Sequence, residues 1–218
     1  MTLANPWLAI PDHANYVLAE DKPYIDAHNS RHKPGSDSWI NLAYTPEPRL
    51  GPISAPVYIL QANPSYDPSL PNGNIHRDTD VKELQSIKDH DASHLGAREK
   101  SKWWNQTLKQ LKDATNAERL SRGICSIEFF PYRSMRFAHA HIRLPSQRYT
   151  FELVERALQE GKIIILTRSA QSWFGAMPKL VEKLDDSVFI GSNAQRTFIT
   201  RGNLTARVFD KVVAAIGS

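Results

Sequence analysis

The run Ile163-Ile164-Ile165-Leu166, bounded by Lys162 and Thr167, constrains the fold more than any other part of the chain. Side chains of a strand alternate between two faces, so four consecutive apolar residues require burial on both. That suits the centre of a parallel sheet covered on each side. Two further apolar runs, over residues 57–61 and 123–128, and a shorter one over 187–190, supply three more strands. Parallel neighbours need long crossovers, and helical patterns lie where crossovers would run. Thr150 is placed to cap a helix over 151–160, where Phe151, Val154, Ala157 and Leu158 make one face and Gly161 ends it. Residues 101–114 repeat Trp104, Leu108 and Leu111 at helical spacing. Ser169 starts a helical stretch interrupted at Gly175 and restarted at Pro178, and a closing helix over 204–216 shows Val208, Val212 and Ala215 on its face.

The expected architecture is a single α/β domain over 1–218, a three-layer αβα arrangement with a central four-stranded parallel sheet. An irregular N-terminal segment occupies about 1–55, with a short helix within 15–29 and turns over 34–52. A long polar insertion occupies about 66–100, with one helix near 81–88. The apolar share of 41% is enough for a core, and no run reaches the ~18–20 apolar residues of a membrane span. Met1 to Ala14 has neither a basic start nor an apolar stretch, so no secretion signal is read and a cytoplasmic location is expected. The one cysteine, Cys125, excludes an internal disulfide or a four-thiolate cluster.

The net charge of +4 says less than its distribution. From Phe129 to Phe151 there is no acid, but Arg133, Arg136, Arg143 and Arg148 stand there with His139 and His141. From Ser187 to Phe209 the pattern recurs with Arg196, Arg201 and Arg207. Arginines on loops after strands, with Phe130, Tyr132, Phe137 and Phe198 among them, fit phosphate contact with base stacking; the ordinary alternative is a solvated rim paired with acids elsewhere.

Three polar residues stand at strand ends. Asn63 precedes Pro64 after the first strand, Glu128 ends the second, and Asn193 lies in Gly191-Ser192-Asn193-Ala194-Gln195-Arg196 after the fourth. Alone, each has an ordinary role: a turn amide, a salt bridge to Arg133 or Arg136, a loop residue. Together they fall at the carboxyl edge of a parallel sheet, where open α/β folds place ligands. His90 and His94, four apart beside Asp89 and Asp91, have a metal-pair spacing but no third ligand in register, so they read as a solvated face and no metal is expected. Ser134 near His139 and His141 lacks a nucleophile elbow, and no glycine-rich phosphate loop is present.

In the order of these motifs the chain resembles the uracil-DNA glycosylase superfamily from about Pro56 to its end. That family closes its first strand with Gly-x-Asp/Asn-Pro; here Gln61-Ala62-Asn63-Pro64 is similar, with Gln61 in place of the glycine. Its second strand often ends in an Asn that reads the base edge, where this chain carries Glu128. Its His-Pro-Ser signature after the fourth strand falls on Asn193-Ala194-Gln195. The resemblance implies a nucleotide flipped from DNA and hydrolysed at its N-glycosidic bond, with no metal, nucleotide or redox cofactor. It implies Asn63 as the residue that holds the water, and Asn193 as a donor to the base. Gln61, Ala62, Ser65, Tyr66, Glu128 and Phe130 would line the base, with Tyr66 or Phe130 stacking. Arg133, Arg136, Arg196 and Arg201 would hold the DNA phosphates. A carboxylate accepts from a cytosine N4 amino group and repels uracil O4. Ser65, where uracil-restricted members carry a bulky Tyr, leaves room at C5. The expected substrate is therefore a C5-modified cytosine, such as a hydroxymethylated or glucosylated base of phage DNA. The alternatives are a uracil or mismatch repair glycosylase and a nucleic-acid-binding relative without catalysis.

Overall fold

The computed structural model describes residues 4–13, 15–69, 87–89, 103–193 and 197–217. Its centre is a five-stranded mixed sheet: β1 (Arg49–Leu50), β2 (Val57–Gln61), β3 (Ile124–Glu128), β4 (Ile163–Leu166) and β5 (Val188–Ile190), in spatial order β1-β3-β2-β4-β5. The four strands expected from sequence are present and mutually parallel. The fifth corrects the expectation of a four-stranded sheet. Arg49 and Leu50 pair antiparallel with Ile127 and Ser126 at the β3 edge, inside a segment read as turns. Two residues between prolines carry too short a pattern to be seen as a strand; the exposed edge of β3 recruits them.

Strand alternation sorts the core into two halves. Tyr58, Leu60, Cys125, Ile127, Ile164 and Leu166 face one side, and Val57, Ile59, Ile124, Ile163 and Ile165 face the other. The first side packs against helix α4 (Gln147–Gln159), through Tyr149, Leu153, Val154 and Ala157, and against Trp173. The second packs against α2 (Lys109–Ala114), α3 (Ala117–Gly123) and α7 (Ala206–Gly217), through Leu111, Leu120, Phe209, Val212 and Ile216. Each Val, Leu, Ile or Phe side chain among these, once fully buried, contributes roughly 1.5–3 kcal/mol. This double burial is what the uninterrupted run at β4 required.

Three local details differ from the sequence reading. Helix α4 begins at Gln147, so Thr150 lies inside it, buried, and Ser146 stands at the cap position without a side-chain cap bond. The turn before it is closed instead by Gln147 Oε1, which accepts from Leu144 N at 2.8 Å. The expected helix over 101–114 is broken: a π-helical turn over Trp103–Thr107 gives way at Leu108 before α2, and α3 follows separately. The stretch after Ser169 forms α5 (Ala170–Ala176), which runs through Gly175, and the short α6 (Lys179–Glu182). Helix α4 does stop at Gly161, whose φ of +67° is the left-handed conformation that glycine adopts at least cost. Residues 81–86 of the expected insertion helix, His90, His94, Ala194, Gln195 and Arg196 lie outside the described residues. Among the described residues, no helix is long and apolar enough to cross a membrane.

Candidate functional site

The connections leaving β2 and β4 run to opposite sides of the sheet, which makes the gap between their carboxyl ends a topological switch point. Asn63 is two residues beyond β2, and Thr167 and Arg168 follow β4 directly. Thr167 ties the two ends, since its N–H and hydroxyl both donate to Leu60 O, at 3.1 and 3.2 Å. Trp173 Nε1 donates to Gln61 O at 2.8 Å from below. On the other flank, β2 and β3 stay paired past their ends. Phe129 N donates to Gln61 O at 3.2 Å, Phe130 N to Ala62 O at 2.9 Å, and Ser134 N to Pro64 O at 3.4 Å.

This pairing brings the loop after β3 alongside Asn63. The Asn63 amide nitrogen donates to Pro64 O (3.1 Å), Ser134 Oγ (2.9 Å) and Ser134 O (3.3 Å). Among the described residues, its Oδ1 accepts no hydrogen bond, and the backbone N–H groups of Ala62 and Asn63 donate to no acceptor. The strand end therefore presents one side-chain acceptor and two adjacent backbone donors. That combination can orient a water and stabilise an oxyanion.

Gln61 and Glu128 are register partners at the last rung of the β2–β3 ladder. Gln61 Nε2 donates to Ser126 Oγ at 2.6 Å. Alternation places Gln61, Ser126 and Glu128 on one face of the sheet, and Glu128 is buried. Ser65 is exposed. Tyr66 is 7% exposed, its ring tilted against Tyr44 at 5.2 Å between centroids.

Several expected contact residues have other occupations. Phe130 is fully enclosed between Tyr132 and His139, with His139 only 4.0 Å away between centroids, so it fills the core and offers no open ring face to a base. Arg133 is buried and clamps the loops: Nε donates to Thr45 O, Nη1 to Ser65 O, and Nη2 pairs with Glu47 at 2.8 Å. Arg201 forks onto Asp210 and lies 5.0 Å over the Phe209 ring. The two arginine pairings share a cause: sequence shows a cation on a loop but not the acid or carbonyl that folding brings to it. Arg136 differs. It is exposed, and among the described residues its guanidinium has no carboxylate partner, while its carbonyl accepts from Ser134 Oγ at 3.0 Å.

Arg168 was missed by the sequence reading. It is exposed at the switch point, forms no ion pair among the described residues, and is followed by Ser169 in a left-handed conformation with φ +55°. A cation two residues after the uninterrupted apolar run of β4 was the available signal. Asn203 was missed as well. Its Oδ1 accepts from Asn193 N at 2.9 Å and its Nδ2 donates to Phe198 O at 2.8 Å, pinning the loop that carries the exposed Asn193. Gly191 is the reason this fits, because a Cβ there would lie 2.8 Å from Asn203 Nδ2.

Beneath the β3 loop, His28 meets His32, His139 and His141 at ring-centroid separations of 4.4, 5.6 and 6.3 Å. Among the described residues, no three His, Cys, Asp or Glu side chains are set to hold a metal ion. His139 is fully buried, and among the described residues neither of its ring nitrogens has a hydrogen-bond partner. Burial, followed by the neighbouring His28, His141 and His32, pushes its pKa down from 6.5 to about 3. In the unfolded chain it takes up a proton near 6.5, so the stability from keeping it neutral is complete above that pH. It is lost progressively as pH falls toward 3, at up to ~1.4 kcal/mol per pH unit. Urea unfolding at pH 7 and pH 5 should show the wild type losing about 2 kcal/mol more than His139→Leu over that interval. Equal losses would mean that His139 is not held neutral.

No family model matches the chain, and comparisons with curated proteins and with solved structures return no match.

Proposed function

We propose that this chain is a DNA glycosylase that extrudes a C5-modified cytosine and hydrolyses its N-glycosidic bond. The observation that carries the reading is the set of polar groups at the switch point that have no hydrogen-bond partner among the described residues: Asn63 Oδ1 and the N–H groups of Ala62 and Asn63. The spatial order β3-β2-β4-β5 supports a uracil-DNA glycosylase-like arrangement, because it brings the Asn63, Glu128 and Asn193 loops to one edge.

In the proposed reaction the base leaves the duplex stack at a cost of a few kcal/mol. Asn63 Oδ1 accepts from a water held against the sugar C1′. As the C1′–N1 bond breaks, its electron pair moves onto the base, and the N–H groups of Ala62 and Asn63 stabilise charge at O2. Oxygen of the water bonds to C1′, its proton passes to bulk water, and the departing base anion takes a proton from bulk water, leaving a sugar hydroxyl and a neutral free base. Glu128 accepts from N4, and Ser65 leaves space at C5. Exposed Arg136 and Arg168, on the loops after β3 and β4, contact phosphates. The protein is offered DNA containing cytosine, hydroxymethylcytosine, glucosylated hydroxymethylcytosine or uracil, and abasic sites are then cleaved with alkali. Strand breaks only with modified cytosine support this reading. Breaks with uracil favour the repair alternative, and DNA retention without breaks favours the inactive relative.

Arg136→Glu and Arg168→Glu should each weaken binding to every DNA sequence and reduce the slope of log affinity against log salt by about 1. Fluorescence anisotropy over a salt series reads both. Unchanged affinity at low salt would assign these arginines to the solvated surface.

A further inference from the structure

An asparagine amide has a donor end and an acceptor end, and only one of them can face an attacking water. At Asn63 the choice is made by what surrounds the nitrogen. Two of its three neighbours are the carbonyl oxygens of Pro64 and Ser134, which cannot donate, so the nitrogen must point at them. The third is Ser134 Oγ, whose hydrogen is directed to Arg136 O at 3.0 Å, leaving a lone pair for Asn63. Ser134 is fully buried, so water cannot readily replace its hydroxyl. Its loop is fixed by Ser134 N to Pro64 O and by Arg136 N to Asp37 O at 2.8 Å.

We propose that Ser134 is a positioning residue for Asn63, holding the amide nitrogen inward so that Oδ1 is turned outward to accept from water. The inference rests on the glycosylase reading for its catalytic meaning, but not for its geometry. It also accounts for an amide rather than a carboxylate at position 63. An aspartate would set an oxygen against two carbonyl oxygens, which repel it. Residue 63 therefore acts as a neutral acceptor that orients water, and it takes up no proton.

A double-mutant cycle tests the coupling. Ser134→Ala should lower the single-turnover rate of base release about 10-fold with DNA affinity unchanged, and by less than ~2-fold when introduced into Asn63→Ala. Ser134→Cys, which keeps the volume with a weak sulfur acceptor, should fall between wild type and Ser134→Ala. Equal losses in both Asn63 backgrounds overturn the proposal. A second readout does not depend on catalysis. The Asn63 side-chain NH2 resonance, assigned by its disappearance in Asn63→Ala, should exchange slowly with solvent in the wild type, fastest in Ser134→Ala and at an intermediate rate in Ser134→Cys. If the wild type releases no base from any DNA, the glycosylase reading fails and amide exchange still decides the positioning role. Exchange unchanged in both serine variants overturns it.

Discussion

Asn63→Ala is expected to lower single-turnover base release by at least ~100-fold, the scale for one positioned catalytic group, while DNA affinity stays within a few-fold. The expectation follows from where the residue's bonds go. Its nitrogen is held by Pro64 and Ser134, and its oxygen accepts no hydrogen bond among the described residues. Removing it deletes the acceptor proposed for the water but touches neither the sheet nor the two exposed arginines. The fold should survive, because Ser134 N to Pro64 O and Phe130 N to Ala62 O join the loops without the side chain. Quenched-flow cleavage paired with anisotropy on the same DNA separates chemistry from binding. Near-wild-type cleavage would remove Asn63 from the mechanism.

Glu128 should govern which base is released. A hydrogen bond from cytosine N4 to a carboxylate is charge-assisted and gives ~1–3 kcal/mol of discrimination, roughly 5- to 150-fold in rate ratio. Glu128→Asn should lose excision of modified cytosine by about that factor and gain on uracil, whose edge an amide can match. Glu128→Gln keeps one acceptor and nearly the same volume, so it should retain part of the cytosine activity. Parallel excision assays on both bases, with thermal unfolding to confirm folding, decide the matter. If both variants keep the wild-type preference, the Glu128 carboxylate serves the β2–β3 junction and the uracil reading takes first place.

The parallel core of the sheet was legible because burial on two faces shows as short, uninterrupted, β-branched-rich apolar runs bounded by polar or turn residues. Ile163 to Leu166 could only lie between two apolar layers, and the helices that provide them repeat apolar residues at helical spacing. The polar residues at strand ends were legible for the complementary reason. An apolar run broken by Asn63-Pro64 or ended by Glu128 marks where the buried strand meets its edge. Helix starts were less legible. Thr150 looked like a cap because its chemistry suits one, but the turn at Leu144 to Gln147 begins the helix earlier through a side-chain bond that sequence spacing does not reveal.

What a cation does could not be read from the chain alone. Arg133 and Arg136 are three residues apart in the same acid-free stretch, yet Arg133 is buried against Glu47 and Arg136 is exposed. The difference lies 86 residues away in sequence, where Glu47 arrives beside Arg133 because Glu47 N also bonds Pro131 O. Phe130 and Phe198 likewise carry similar rings, and only packing makes Phe130 core and leaves Phe198 partly exposed. Sequence by itself determined the four parallel strands, their burial and the polar residues at their ends, since these follow from local periodicity and side-chain chemistry, whereas the antiparallel β1 was recruited only by the fold. Only the tertiary structure decided which strand-end groups remain unanswered, because a hydrogen bond or ion pair is settled by the partner that folding delivers, and that partner lies elsewhere in the chain.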